Sequence, residues 1–176
     1  MNLEQLIISG IRHATTEVFS TMLGVELEPA EVVIEAGETE ANDGVVSLIG
    51  LAGPWVGTGS VTCSPEVACR VCSQMLMTES TAVNEEVLDA VAELTNMIIG
   101  GVKNGLEPDL GPLCLSIPTV VFGKNFRTKS ARTAEWIVLR FPWEGDKLVV
   151  KMCLTQADRA SHSIFHAPGH TCALEV

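Results

Sequence analysis

The order in which helical and strand-like patterns alternate along this chain constrains its fold most. Three stretches have apolar residues at helical spacing: residues 2–24, 65–77 and 84–104. Six short stretches have strand character and are separated by turn signals: residues 32–35, 45–51, 55–62, 115–122, 134–142 and 147–154. The sequence therefore predicts a mixed α and β domain in the order helix, three strands, two helices, three strands.

Removing the middle helix leaves a helix followed by three strands twice over. Residues 17–24 superpose on residues 93–100, so that Glu17 matches Glu93, Ser20 falls on Asn96, and the glycine seven residues after each glutamate also coincides. We therefore predict an α/β fold of the α+β type, with three main helices, a largely antiparallel six-stranded sheet and an internal duplication. One domain is expected over residues 1–157, with a C-terminal tail at residues 158–176.

The length of the chain indicates how many domains it forms, and its net charge indicates which classes of partner it can bind. The 176 residues suit one domain, and 22 acidic against 11 basic side chains give a net charge of −11. Such a surface repels nucleic-acid phosphates and anionic lipid, so neither nucleic acid nor a membrane is an expected partner. The N-terminus has no signal-peptide pattern and no apolar run reaches membrane-spanning length, so we expect a cytoplasmic protein with reduced thiols.

Two groups of residues raise the question of a metal site. Cys69 and Cys72 lie three residues apart on the second helix, but a zinc site needs further ligands and no second such pair exists, so core packing is the favoured interpretation. His162, His166 and His170 are spaced by four, with Cys172 close behind. On a continuous helix they would form a metal-binding stripe, but Pro168-Gly169 interrupts them, which favours a loose tail.

The third helix carries the candidate chemistry. On a helical wheel its apolar residues fall on one side: Val87, Val91, Leu94, Ile98 and Val102. A narrow polar stripe falls opposite them: Asp89, Glu93, Asn96 and Gly100. A glycine in this stripe leaves room for another backbone to approach. The alternative interpretation is a solvated polar face, which every amphipathic helix has.

The stripe resembles a known family signature. Asp89-x3-Glu93-x2-Asn96, followed by Pro118, is similar to the signature of the CheC/CheX/FliY chemotaxis phosphatases, and the resemblance extends over about residues 2–154. CheC-type members carry two Glu-x-x-Asn motifs and CheX-like members one. Because Ser20 takes the place of the first asparagine and its hydroxyl is shorter than an amide, the chain looks CheX-like, which implies one active centre and a homodimer.

The resemblance implies a phosphatase that acts on the aspartyl-phosphate of a CheY-like receiver domain. Asn96 would hold the attacking water, Glu93 would pair with the receiver's lysine, and Asp89 and Gly100 would lie at the partner-binding surface. Mg²⁺ would belong to the receiver, and no cofactor is expected in this chain. Two alternatives remain open: a non-enzymatic adaptor that binds a receiver or motor protein through the same helix, and a metal- or redox-sensing domain.

Overall fold

The computed structural model describes residues 2–36, 42–128 and 135–157, and three helices and seven strands lie in this part of the chain. The helices are Leu3–Val18 (α1), Pro65–Leu76 (α2) and Glu85–Leu110 (α3), and α1 continues into a π-helical turn at Phe19–Leu23. The strands are Glu31–Ala36 (β1), Asn42–Ala52 (β2), Trp55–Cys63 (β3), Cys114–Leu115 (β4), Thr119–Phe126 (β5), Glu135–Trp143 (β6) and Asp146–Gln156 (β7). The predicted fold class is confirmed, but the sheet has seven strands instead of six.

All strand pairs in the described sheet are antiparallel, and their order is β1-β6-β7-β3-β2, with both β4 and β5 pairing with β2. Without β4, the order is β1-β6-β7-β3-β2-β5. When β1, β2 and β3 are exchanged with β5, β6 and β7, respectively, the same order results, read from the opposite edge of the sheet. The two equivalent strands β3 and β7 pair at the centre, with Gly59 opposite Met152. The sheet therefore has the pseudo-twofold symmetry that the predicted duplication requires.

The helices bury their apolar sides in a common core with the sheet. All five predicted core residues of α3 are at 0% exposure: Val87, Val91, Leu94, Ile98 and Val102. Close approach between α1 and α3 depends on small residues, because a Cβ on Gly101 would lie 3.0 Å from the Cβ of Ala14. Ile99 lies directly above Gly59 of β3, where a Cβ would be 2.8 Å from the isoleucine side chain. These contacts fix α3 against both α1 and the sheet.

The predicted end of the third helix near residue 104 is wrong, since α3 continues to Leu110. Gly105 follows the predicted end and is a residue that often stops a helix, but Leu106 is only 1% exposed and Leu110 packs against the core. Burial of these two leucines outweighs the cost of about 1 kcal/mol for a glycine inside a helix. Pro108 lies in the last turn, near the point where the helix ends.

The predicted strand at residues 115–122 is interrupted. Residues 116–118 leave the ladder between β4 and β5, which adds the seventh strand. The hydroxyl of Ser116 accepts a hydrogen bond from the backbone N–H of Gly50 at 2.9 Å, where a strand would have offered a carbonyl. Pro118 has no N–H to give to a ladder. A side chain thus replaces one backbone partner, and the strand divides at this point.

Cys69 and Cys72 are buried in the core, as the favoured interpretation predicted. The tail at residues 158–176, with His162, His166 and His170, lies outside the described residues. None of the helices found in the described ranges is long and apolar enough to cross a membrane.

Candidate functional site

The candidate site lies on α3, whose start is fixed by an N-cap. The side chain of Asn84 accepts a hydrogen bond from the backbone N–H of Val87 at 3.0 Å, and Glu85 and Glu86 occupy the first turn. An amide cap and acidic residues at this end both stabilise a helix, because they satisfy free N–H groups and complement the helix dipole. The helix therefore begins at a defined residue, which sets the direction of every side chain that follows.

The predicted polar stripe lies on the exposed side of α3. Asp89, Glu93 and Asn96 are exposed and Gly100 is half-buried, while the opposite side of the helix is fully buried. Glu93 and Asn96 are separated by about 4.5 Å along the helix axis and point to the same side. Within the described ranges, the side chains of Asp89, Glu93 and Asn96 form no hydrogen bond or ion pair. Their donors and acceptors are thus available to another molecule.

Gly100 opens the surface next to this stripe. A Cβ at this position would meet only the Leu115 side chain, whose Cδ1 would lie 4.0 Å away. The chain that follows α3 therefore returns beside the helix at Leu115, and Pro118 of the signature is half-buried three residues later. Because Gly100 has no side chain, the helix surface stays open at this position.

Two charged residues that the sequence interpretation missed fix this returning segment. Lys103 Nζ lies 2.8 Å from Glu107 Oε1, which also accepts a hydrogen bond from the backbone N–H of Leu113 at 2.9 Å. The Leu113 N–H and the lysine together hold the pKa of the Glu107 carboxyl below its usual range. The signal in the sequence was the four-residue spacing of lysine and glutamate on a helix.

The equivalent position in the first repeat has different contacts. Glu17 is exposed and its Oε2 lies 3.8 Å from Nε2 of His13. The hydroxyl of Ser20 donates to the backbone carbonyl of Glu17 at 3.3 Å, so it is directed back to its own helix. Gly24 ends the helix in the left-handed conformation, with φ at 65°. At the position equivalent to Asn96, the first repeat thus presents no amide to a partner.

Three of the thiols in the described ranges are poorly suited to act as nucleophiles. Burial, with a smaller contribution from Asp146, raises the pKa of Cys63 to about 12. Burial also raises the pKa of Cys69 and of Cys153. These thiols are protonated near neutral pH and are poor nucleophiles. No group of three potential His, Cys, Asp or Glu metal ligands occurs among residues 2–36, 42–128 and 135–157.

Comparison with known proteins agrees with the fold. The profile of the family described as chemotaxis phosphatase CheX matches residues 45–142. The CheY-P phosphatase CheX of Thermotoga maritima is 28% identical over 125 residues, which cover 70% of this chain and 80% of that protein. A CheC-like superfamily protein from Shewanella sp. PV-4 superposes with a TM-score of 0.77 at 29% identity, over 88% of this chain and 99% of its own.

A more distant structure shares the fold. The CheX chain in the CheX-CheY-BeF₃-Mg²⁺ complex from Borrelia burgdorferi superposes with a TM-score of 0.67 at 24% identity, over 85% of this chain and 98% of its own.

The fold and the family profile together define a phosphatase of the CheC/CheX type. The family profile covers more than half of this chain, and the chain therefore belongs to the chemotaxis phosphatase CheX family.

Proposed function

We propose that this protein hydrolyses the aspartyl-phosphate of a CheY-like receiver domain, and that Glu93 and Asn96 are the residues that do so. One observation carries the assignment of these residues: a carboxylate and an amide lie one helical turn apart on the exposed side of α3, with no side-chain partner among the described residues. Polar groups that are not used inside the fold are available to a partner.

The relatives support the choice of substrate. The Thermotoga maritima relative is named a CheY-P phosphatase, and the Borrelia burgdorferi relative is a CheX in complex with CheY, BeF₃ and Mg²⁺. We extend this substrate class to the present chain, as a phosphorylated receiver domain of the CheY type.

Asn96 is proposed to position the attacking water. Hydrolysis of an aspartyl-phosphate requires a water in line with the phosphorus, opposite the oxygen of the receiver's aspartate. The water oxygen forms a bond to phosphorus as the bond to the aspartate oxygen breaks, and the products are inorganic phosphate and free aspartate. An amide oxygen can accept a hydrogen bond from this water without adding a negative charge beside the phosphoryl group. Since an amide is a very weak base, the gain is in positioning.

Glu93 is proposed to anchor the receiver. A receiver domain carries a lysine next to its phosphorylated aspartate, and a carboxylate one turn before Asn96 can form a charge-assisted hydrogen bond with it. Asp89 lies four residues earlier on the same stripe and would contact the rim of the partner. Gly100 would let the receiver backbone approach the helix, since a Cβ there has only Leu115 nearby.

The remaining proposals concern metal, assembly and compartment. Mg²⁺ is proposed to bind the receiver's acidic residues, with no cofactor in this chain. Resemblance to CheX-like members supports a homodimer. Light scattering during gel filtration measures the mass of the assembly, which should be twice the 18.8 kDa of one chain. A receiver partner of the CheY type supports a cytoplasmic location.

The proposed function is tested by timing phosphate release from a phosphorylated CheY-like receiver. Wild-type protein in trace amounts should release phosphate over many turnovers, while Asn96→Ala should lose at least about 100-fold in rate. Ser20→Ala changes the equivalent position of the first repeat and is the matched control; its rate should equal that of the wild type. A wild-type rate for Asn96→Ala would show that this amide does not carry the reaction.

A further inference from the structure

The strand β5 lies at an edge of the sheet, and in the described part of the chain it pairs with β2 alone. In an antiparallel ladder about half of the backbone N–H and C=O groups of an edge strand point away from the sheet. The register with β2 is regular from Thr119 to Gly123. An irregularity follows opposite Asp43, whose carboxylate accepts a hydrogen bond from the Asn125 N–H at 2.5 Å. Residues 119–123 therefore form a short, regular edge that can pair with another strand.

The charge around this edge is opposite in sign to that of the whole chain. Residues 110–134 contain no aspartate or glutamate and carry four of the 11 basic residues, in a chain with a net charge of −11. Two of the four, Lys124 and Arg127, are exposed and form no ion pair or hydrogen bond with the described residues. The other two, Lys129 and Arg132, lie outside the described residues. Cations that no group of the fold neutralises are available to an anionic partner.

The opposite edge of the sheet, β1, has charges that the fold neutralises. Arg140 of β6 contacts both acidic side chains of β1, with Nη1 3.7 Å from Glu31 Oε2 and Nη2 2.6 Å from Glu35 Oε1. The cations beside β5 have no such partners in the described ranges. Basic side chains at an edge oppose the pairing of two like edges, as in two copies joined through β5, but they attract an acidic strand. The charge at β5 therefore suits an acidic partner better than a second copy.

We propose that the edge of β5 binds an extended acidic segment of a partner protein by strand addition. The backbone of the segment pairs with residues 119–123, and its acidic side chains contact Lys124 and Arg127. An apolar side chain of the segment covers Phe122, which is 48% exposed in the regular part of β5. Backbone pairing distinguishes this site from the attraction of any polyanion, because a nucleic acid or an anionic membrane has no strand to add. The inference does not depend on the proposed function, since it uses neither residue of the Glu-x-x-Asn motif.

The test measures the binding of a fluorescein-labelled peptide of alternating glutamate and valine to the full chain, by fluorescence anisotropy at low ionic strength. Wild-type protein should bind the peptide with a saturable signal. Lys124→Glu and Arg127→Glu should each raise the Kd about fivefold or more, because each removes an attraction and adds a repulsion. Arg12→Glu is the matched control, since Arg12 is exposed on α1 and its variant changes the net charge equally. Its Kd should stay within about twofold of wild type.

A second peptide, with the same side chains but N-methylated at every peptide bond, tests the backbone pairing. It keeps the charges and has no N–H donors, so it should bind at least about tenfold more weakly. The inference is overturned if wild-type protein binds neither peptide, if both bind equally, or if Arg127→Glu binds like the wild type. Displacement of the peptide by a single-stranded DNA of equal charge would show a general polyanion site and overturn it too. Self-association that is lost in Arg127→Glu, measured by light scattering, would assign the edge to a second copy instead.

Discussion

The two repeats of this protein carry a glutamate at the same point of their long helices but differ three residues later. In the second repeat, Asn96 is exposed and has no side-chain partner within the described ranges. In the first repeat, Ser20 is half-buried and donates its hydroxyl to the carbonyl of Glu17. The same architecture thus presents a carboxylate and an amide on one helix and only a carboxylate on the other.

The helices of the two repeats also differ in where they end. Gly24 terminates the first helix in the left-handed conformation after a π-helical turn, whereas Gly100 lies inside α3, which continues for ten more residues. The extension carries Lys103 and Glu107, which fix the start of the returning segment. The two repeats therefore differ both in the residue three positions after the glutamate and in the length of the helix that follows it.

The largest difference between the repeats is expected when the glutamate of each one is replaced by the neutral glutamine. Glu93→Gln removes the charge proposed to pair with the receiver's lysine, so kcat/KM for phosphate release should fall about 10- to 100-fold, with a higher KM as the main cause. Glu17→Gln should stay within about twofold of wild type, because its neighbour Ser20 offers no amide to a receiver. Equal losses in the two variants would mean that both repeats contact the receiver.

The two equivalent glycines should respond to alanine in opposite directions. Gly24→Ala places a Cβ on a residue with φ at 65° and should lower the free energy of unfolding by about 1 kcal/mol. Gly100→Ala fills open space inside a helix and should raise it by about 0.5–1 kcal/mol. Urea denaturation of both variants measures this difference. The same sign for both would show that the two helices do not end as described.

The smallest effect concerns the extension of α3 and depends on pH. Because Leu113 and Lys103 lower the pKa of Glu107, its carboxylate stabilises the fold above the ordinary glutamate pKa, and this contribution is lost as the pH falls through the lowered value. Glu107→Gln should therefore melt slightly below wild type at neutral pH, and the two melting temperatures should converge as the pH falls below the ordinary glutamate pKa. A constant difference across this range would contradict the role of the charge.

Features set by neighbouring residues could be predicted from the sequence. Ser64, directly before Pro65, caps α2 by accepting from the Val67 N–H at 3.1 Å, and the hairpin turn between β6 and β7 has positive φ at Glu144 and Gly145. The exposed stripe of α3 followed from helical spacing alone. Each of these depends on residues within a few positions of one another, which is why local pattern was sufficient.

Features set by distant residues could not be predicted in this way. The break at residues 116–118 depends on the hydrogen bond between Ser116 and Gly50, which are 66 positions apart in the chain. The continuation of α3 past Gly105 depends on burial of Leu106 in the core.

The most direct test of the central claim separates binding from chemistry in Asn96→Ala. The variant should bind a receiver activated with beryllofluoride and Mg²⁺ with a Kd within about threefold of wild type, because Glu93 and the surrounding surface are unchanged. At saturating phosphorylated receiver, its rate of phosphate release should be lower by at least about 100-fold, because no amide positions the water. A variant that hydrolyses at the wild-type rate once saturated, with only a weakened Kd, would contradict the account.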